Sequence, residues 1–323
     1  MAKKSVLFAE PLEETQMDKF DKKFRELEVD YDVASGDVSN YDSEADILVV
    51  KDKRIDLDFL KKNIRPELVI LMQPGNTNLS ENQLSSAGME VETIMSPALL
   101  GVAEHAILLM LSLIKKLPEV HQKTKNSNYS DDIEPIVTTQ NDYTFNWSDV
   151  SGMNILYRRT LGLIGIGTIG KMVAERAKSF GMDVFYYDPY RLSEGEEEEM
   201  GVSYAPLDDL LQNSDFISLH ARVNDQTKKM INKESLELMK ESSYLINTAR
   251  GKLVDEDDLY KALKNDVIAG AGLDVFWKEP PEKDNPILDL DNVVLTSHCA
   301  GIYVEDAYEM EVDFIVKIVE GTI

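Results

Sequence analysis

The sequence contains only one cysteine, Cys299, among its 323 residues. A lone cysteine cannot form a disulfide within the chain and cannot build a thiolate zinc site. Such scarcity is typical of proteins from a reducing compartment. We therefore predict a cytoplasmic protein without a metal centre.

Basic residues are also scarce. The chain has 34 Lys and Arg against 59 Asp and Glu, which gives a formal net charge of −25 at pH 7. Nucleic acids and anionic membranes are bound by clustered Lys and Arg, so this balance argues against both as partners. With 43% hydrophobic and 29% charged residues, the composition is that of a globular protein.

Long hydrophobic runs are nearly absent. The most apolar segment, Ala98 to Ile114, is shorter than the roughly 20 residues that span a bilayer. It also contains Glu104 and His105, which a membrane interior disfavours. We predict a buried core helix here rather than a membrane span. The apolar part of the amino terminus is too short for a secretory signal.

Two stretches of the chain, residues 5–95 and 160–298, alternate short apolar runs with amphipathic ones. This alternation indicates parallel sheets joined by crossover helices. The predicted fold class is α/β, with two Rossmann-like or flavodoxin-like domains, mainly parallel sheets and an active site in the interdomain cleft. The amphipathic segment after Gly301 is expected to fold back on the first domain. The predicted domains are residues 1–97 plus 301–323, which would bind substrate, and residues 98–300, which would bind a dinucleotide.

Two segments between the apolar runs are polar. The stretch from Thr124 to Trp147 has no periodicity, and we predict a surface excursion within a domain. The acidic run from Glu194 to Met200 is predicted to be a solvated turn.

Three glycines follow the first strand-like run of the second stretch. Gly165, Gly167 and Gly170 have the spacing G-x-G-x-x-G, which alone could mark only a tight turn. Here a strand pattern precedes the glycines and an amphipathic helix pattern follows, as in dinucleotide-binding loops. The glycines permit the turn, the approach of a pyrophosphate and close packing of helix on strand. The first N–H groups of the helix, at Thr168 and Ile169, are predicted to bind the phosphates.

Asp188 closes the next strand-like run. Its carboxylate can accept hydrogen bonds from a ribose 2′-hydroxyl and would repel a 2′-phosphate, which favours NAD over NADP. An aspartate at a strand end can also simply cap the turn before Pro189. Arg191 lies close enough in sequence to weaken the preference.

Three ionisable residues follow three consecutive strand-like runs: Arg250, Glu279 and His298. Because ligands bind outside the carboxyl ends of parallel strands, we expect these side chains to share one crevice with the cofactor. Taken singly, each could be a solvated charge, and His298 could be a core histidine with one satisfied hydrogen bond. Together, they suggest a guanidinium that grips a carboxylate and an imidazole that exchanges a proton with an alkoxide. With a nicotinamide as hydride source, this set indicates interconversion of a 2-keto acid and a 2-hydroxy acid.

The motifs TLGLIGIGTIG, LINTARGKLVDEDDLYKAL, IAGAGLDVFWKEP and HCAG resemble those of the D-isomer-specific 2-hydroxyacid dehydrogenase family. The resemblance covers the second stretch and is looser over the first hundred residues. It implies that His298 is the general acid/base, that Glu279 is its carboxylate partner and that Arg250 anchors the substrate. It further implies cofactor contacts at His220, Thr248, Ala249, Arg250, Asp274, His298, Ala300 and Gly301, and substrate contacts at Val50, Lys51, Asp52, Gly75 and Arg250.

The sequence departs from the family pattern at Ser297 and Arg222, where proline is usual. The resemblance also implies a homodimer formed through the cofactor domain. Two alternatives remain open. One is an NAD(H)-sensing binding protein of the corepressor type with weak catalysis. The other is a formate-type dehydrogenase, which would require glutamine in place of Glu279.

Overall fold

The computed structural model describes residues 4–34, 41, 44–51, 53–72, 78–94, 96–301 and 305–322. The chain divides into two compact units, Met1–Leu99 with Ile302–Ile323 and Leu100–Gly301. Within the described residues the strands are β1 (Ser5–Phe8), β2 (Asp30–Val33), β3 (Ile47–Val50), β4 (Leu68–Leu71), β5 (Glu90–Thr93), β6 (Thr160–Ile164), β7 (Asp183–Tyr187), β8 (Ser203–Tyr204), β9 (Phe216–Leu219), β10 (Tyr244–Asn247), β11 (Gly270–Leu273) and β12 (Val293–Leu295).

The helices connect these strands. In chain order they are α1 (Glu14–Glu26), α2 (Leu57–Phe59, continued by a π-helical turn over Leu60–Ile64), α3 (Glu81–Ser86), α4 (Pro97–Ile114), α5 (Leu117–Lys125), α6 (Thr168–Ser179), α7 (Glu194–Met200), α8 (Leu207–Asn213), α9 (Lys233–Leu238), α10 (Glu256–Lys264) and α11 (Glu305–Glu320).

The first unit contains a five-stranded sheet in the order β2-β1-β3-β4-β5, and every pair of neighbours is parallel. This is the strand order of flavodoxin-like folds. The central strands β3 and β4 are buried along their whole length, whereas the edge strands β2 and β5 are largely exposed. Helix α11 packs on the same face as α1, where Phe20 and Phe24 share a core with Val312 and Val316.

The second unit contains a seven-stranded parallel sheet in the order β12-β11-β10-β9-β6-β7-β8. Counted from β6, the order is 3-2-1-4-5-6-7, which extends the Rossmann order by one strand. The reversal of direction falls between β6 and β9, so this is where a dinucleotide is expected to bind. The predicted α/β fold with two mainly parallel sheets is therefore confirmed.

Among the described residues, α4 is the one helix long and apolar enough to cross a membrane by length and composition. Half of it is buried in the structure, including the fully buried Ala103, Ala106 and Met110. The helix fits closely against β11, because a side chain at Gly272 would lie 2.9 Å from Cβ of Leu109. These contacts are those of a core helix. After α5, residues 126–159 form neither helix nor strand, and most are exposed.

Candidate active site

The loop between β6 and α6 has the backbone of a phosphate-binding turn. Gly165 has a φ of +101°, and a Cβ there would lie 2.7 Å from the backbone carbonyl carbon of His220. A Cβ at Gly170 would lie 2.3 Å from the carbonyl oxygen of Gly165. Only glycine fits at these two positions, because the turn is left-handed at one and the helix packs onto the turn at the other. At Gly167, by contrast, a Cβ would meet open space.

Helix α6 begins at the residue after Gly167, next to this open space. Gly167 is its N-cap residue, and Thr168 and Ile169 are the first two helical residues. Thr168 is exposed and Ile169 is partly buried. The first N–H groups of a helix have no partner within the helix and carry a partial positive charge. An anion at Gly167 would therefore find free donors.

The Asp188 carboxylate binds two loops. Its Oδ2 accepts the Ile166 N–H at 3.0 Å, and its Oδ1 accepts the Tyr190 N–H at 2.9 Å. The second bond caps the turn at Pro189, which is the alternative role considered for Asp188 in the sequence analysis. The first ties the strand end to the glycine-rich loop. Arg191 forms a two-bond pair with Glu197, at 2.9 and 3.1 Å.

His220 lies at the end of β9, beside the same loop. Its Nε2 is 2.9 Å from the Ser218 hydroxyl. Burial lowers the pKa of the His220 imidazole to about 4, so the ring is neutral near pH 7. His220, which the resemblance places beside the cofactor, therefore adds no charge next to the glycine-rich loop near pH 7.

The three predicted catalytic residues come together at the carboxyl edge of β10, β11 and β12. Nδ1 of His298 lies 2.6 Å from Oε2 of Glu279. The other carboxylate oxygen of Glu279 accepts the Phe276 N–H at 3.0 Å. The side chains of His298 and Glu279 are 47% and 36% exposed, so a ligand can reach the imidazole.

The charge state of Glu279 reflects its neighbours. Partial burial alone would raise the pKa of this carboxyl group. The hydrogen bonds from His298 and Phe276, together with the charges of His298 and Arg250, outweigh burial and lower the pKa. Glu279 is therefore a carboxylate near pH 7, and the positive field of Arg250 reaches it.

Arg250 is held by a turn at the end of β10. The Asn247 amide donates to the Arg250 carbonyl at 3.0 Å and accepts the Ala249 N–H at 3.1 Å. At Gly251, an added Cβ would lie 2.1 Å from the Phe276 carbonyl carbon. The turn can thus pack directly against the segment that leads to Glu279.

The Asp274 carboxylate is fully buried and organises the loop that carries His298. It accepts the backbone N–H groups of Cys299 at 2.9 Å and Ala300 at 3.0 Å, and the Thr296 hydroxyl at 2.7 Å. The His298 N–H donates to the Asp274 carbonyl at 2.8 Å. His298 itself has a φ of +54°, a left-handed conformation that is uncommon outside glycine and is held here by these bonds.

The residues present fit a dinucleotide cofactor. The Thr248 hydroxyl is buried and has no hydrogen-bond partner among the described residues. An unpaired buried hydroxyl is costly unless a ligand completes it. The unpaired hydroxyl and the open space at Gly167 are two places along one sheet edge where a bound molecule would supply missing contacts. Ala249 and Gly301 are partly buried at the same edge, and Ala300 is buried.

The predicted substrate contacts in the first unit are only partly described. Val50 is buried in β3, and the N–H groups of Lys51 and Lys53 donate to the Glu10 carboxylate at 3.0 and 2.7 Å. The Lys51 ammonium lies 3.5 Å from the buried Glu311 carboxylate. Asp52 and Gly75 lie outside the described residues. Substrate contact at all four positions stays a prediction.

Sequence reasoning missed the residues that hold the site in place. Asn247 fixes the Arg250 turn, Gly251 permits its close packing, and Thr296 and His105 join the Asp274 network. Asn247 carried a detectable signal, because a buried strand rarely ends on an amide without a local hydrogen-bonding role. His105 carried none, since its partner Thr296 is far away in the sequence.

The chain is similar to several known proteins. Residues 107–300 match the sequence model of a domain family described as "D-isomer specific 2-hydroxyacid dehydrogenase, NAD binding domain". The chain is 39% identical over 238 residues to a glyoxylate reductase of Korarchaeum cryptofilum, covering 73% of this chain and 68% of that one. It is 33% identical over 298 residues to a D-3-phosphoglycerate dehydrogenase of Archaeoglobus fulgidus, but spans only 53% of that protein. A solved D-lactate dehydrogenase from Aquifex aeolicus, complexed with NAD and lactic acid, is 29% identical with a TM-score of 0.63, covering 98% of this chain and 95% of that one.

Proposed function

Because the chain belongs to the D-isomer-specific 2-hydroxyacid dehydrogenase family, we propose that it interconverts a small 2-keto acid and the matching D-2-hydroxy acid by hydride transfer with NAD. The observation that carries the proposal is the 2.6 Å bond between His298 and Glu279, with the Arg250 charge acting on the same carboxylate. A guanidinium, a carboxylate and an imidazole at the edge of a dinucleotide-binding sheet suit this reaction.

The roles of the three residues follow from their hydrogen bonds. Nδ1 of His298 faces Glu279, so Nε2 is the nitrogen left to give a proton to the substrate oxygen during reduction and to take it back during oxidation. Glu279 stabilises the protonated ring. Arg250 binds the substrate carboxylate and polarises the adjacent carbonyl. When bound, the nicotinamide supplies or accepts the hydride, and Thr248, Ala249, Asp274, Ala300 and Gly301 would hold it.

The first unit would contribute the remaining substrate contacts through Val50, Lys51, Asp52 and Gly75. The Glu10 carboxylate occupies the N–H groups of Lys51 and Lys53. Because both N–H groups are already bonded, Lys51 would contact the substrate through another of its groups. The identity of the 2-keto acid would be decided here.

Specificity for NAD over NADP would come from Asp188. Its charge repels a 2′-phosphate, and Arg191 is already paired with Glu197 and so is engaged elsewhere. We expect Asp188→Asn to remove the charge, while its one amide oxygen keeps one of the two hydrogen bonds, to the N–H of Ile166 or to that of Tyr190. The ratio of kcat/KM for NADH to that for NADPH should fall about tenfold or more. Asp183→Asn, at the exposed start of β7, is the matched control, and an unchanged ratio in Asp188→Asn would contradict the assignment.

The experiment that tests the function is NADH oxidation with glyoxylate, hydroxypyruvate, pyruvate, 2-oxoglutarate and phosphohydroxypyruvate, followed at 340 nm. We expect saturable turnover with at least one of them and a D-configured product by chiral chromatography. If the protein binds NADH but oxidises it with none of the five, the alternative of an NAD(H)-sensing binding protein of the corepressor type replaces this proposal.

We also expect a homodimer in the cytoplasm. Large apolar side chains are exposed along and after α4 and α5 in the second unit, which supports self-association there. They are Leu108, Leu117, Ile136, Val137, Tyr143 and Phe145. Sedimentation velocity would report the oligomeric state, and a monomer at micromolar concentration would contradict this expectation.

A further inference from the structure

A partly buried series of hydrogen bonds runs from α4 to the loop that carries His298. Nε2 of His105 lies 2.9 Å from the Thr296 hydroxyl, which lies 2.7 Å from Oδ1 of Asp274. His105 is largely buried, and Asp274 is fully buried. Of these three hydrogen-bonded residues, His105 is the one that does not lie in a segment at the end of a strand.

The direction of these bonds can be assigned. Asp274 accepts two backbone N–H groups and the Thr296 hydroxyl, so the single hydrogen of that hydroxyl points at Asp274. The hydroxyl oxygen must then accept from His105, which places a hydrogen on Nε2 of the ring. His105 therefore fixes the orientation of the Thr296 hydroxyl, and this hydroxyl fixes the orientation of the Asp274 carboxylate.

Helix α4 is fitted to the same loop at a second point. A Cβ at Gly101 would lie 2.8 Å from the carbonyl oxygen of Ala300. Gly101, His105 and Leu109 are spaced four residues apart and so lie on one face of the helix. That face contacts the loop after β12 through the first two residues and β11 through Leu109.

The same atoms could be considered as a metal site, because ligand atoms of His105, Asp274 and Cys299 lie within 4.8 Å of one another. The hydrogen-bond assignment argues against this. The His105 nitrogen that faces the group carries a hydrogen and so cannot bind a metal ion, and Oδ1 of Asp274 already accepts the Thr296 hydroxyl and the Cys299 N–H. The group is satisfied as a hydrogen-bonded network.

We propose that His105 and Thr296 are positioning residues for His298. They hold the Asp274 carboxylate in the orientation that binds the N–H groups of Cys299 and Ala300, and this keeps His298 in its left-handed conformation with Nδ1 on Glu279. The inference rests on the proposed function, in which His298 exchanges the proton. Neither residue contacts the reacting atoms. Loss of either frees the loop, and a displacement of about 1 Å costs about a hundredfold in rate.

The test compares matched variants. Thr296→Val removes the hydroxyl at constant shape, and Thr296→Ser restores it. We expect Thr296→Val to lower kcat about 10- to 100-fold with KM for the keto acid changed less than about threefold, because Arg250 is not displaced. Thr296→Ser should remain within about threefold of wild type. His105→Leu should match Thr296→Val, and the double variant should be no slower than either, since one broken link interrupts the series of hydrogen bonds.

A second readout does not require turnover. The ring nitrogens of the four histidines, read by long-range ¹H–¹⁵N NMR with His298 assigned from His298→Asn, report whether Nδ1 remains bound to Glu279. We expect the His298 signals to shift in Thr296→Val and His105→Leu and to stay in place in Thr296→Ser. Ser112→Ala, buried on the same helix, controls for disturbance of α4, and thermal unfolding is recorded for every variant.

Two outcomes overturn the inference. One is wild-type kcat together with unchanged His298 signals in Thr296→Val. The other is a loss of kcat in Thr296→Val that Thr296→Ser does not rescue. If wild-type protein oxidises NADH with none of the keto acids, the proposed function fails. The His298 signals alone then decide whether His105 and Thr296 position the ring.

Discussion

Replacing His298 with asparagine should lower kcat for keto-acid reduction by about 10² to 10⁴-fold while leaving NADH binding intact. An acid/base group in this position contributes rate of that order, because the developing alkoxide must receive its proton as the hydride arrives. Asparagine can keep a hydrogen bond to Glu279 but cannot deliver a proton. The loop should survive, because the bonds that shape it run through the backbone of residues 298–300 to Asp274.

Stopped-flow and steady-state measurements of NADH oxidation check the rate, and a fluorescence titration checks NADH binding. His121→Asn is the matched control, because His121 is exposed on α5, outside every contact of the site. A rate within about tenfold of wild type in His298→Asn would remove His298 from the role of acid/base. Loss of NADH binding alongside the rate would indicate a damaged loop rather than missing chemistry.

The meeting of Arg250, Glu279 and His298 was predictable because parallel strands end at one edge of a sheet. Buried strands announce themselves as continuous apolar runs, and β9, β10 and β11 are buried over most or all of their length. Arg250 and Glu279 follow such runs, and His298 follows β12, which is apolar although only partly buried, so the position of each residue in space follows from its position in sequence. The phosphate-binding loop was predictable for the same reason, since its glycines lie where a buried strand ends and a helix begins.

The two edge strands of the first sheet were not predicted from the sequence, because they are mostly exposed. Strands β2 and β5, with sequences DYDV and EVET, are exposed at most positions and read as polar segments. The prediction of a turn at Glu194–Met200 was wrong. This acidic run forms helix α7, with Ser193 and Glu196 in a reciprocal capping box and Lys171 pairing with Glu196. Acidic side chains in the first turn interact favourably with the helix dipole. Together with the capping box, this interaction stabilises the helix by more than the repulsion between the carboxylates destabilises it.

Positioning residues were the least predictable part of the site. The bond between His105 and Thr296 joins residues far apart in the sequence, and nothing in either neighbourhood indicates the other. Side-chain hydrogen bonds of this kind depend on how a helix packs over a sheet. That packing follows from close approaches such as Gly101 on Ala300 and Gly272 on Leu109.

Replacing Glu279 with glutamine should lower kcat/KM for keto-acid reduction at pH 7 by about a hundredfold. The change keeps the shape of the side chain and an oxygen that accepts from Nδ1 of His298, but it removes the charge. Without that charge the ring loses the carboxylate that stabilises it as the proton donor, so reduction, which requires a proton on the ring, should slow markedly. Oxidation, which requires the neutral ring, should lose less.

The pH dependence of stability gives an independent check. The pKa of Glu279 is lowered in the folded protein, so its contribution to stability is present above the ordinary value of 4.5 and is lost as the pH falls through the lowered value. The difference in unfolding free energy between wild type and Glu279→Gln should therefore be largest above pH 4.5 and shrink below it. Glu282→Gln, three residues further along the same loop and paired only on the surface with Lys278, should change neither measurement. A kcat/KM for keto-acid reduction in Glu279→Gln within about threefold of wild type would show that the carboxylate does not assist His298.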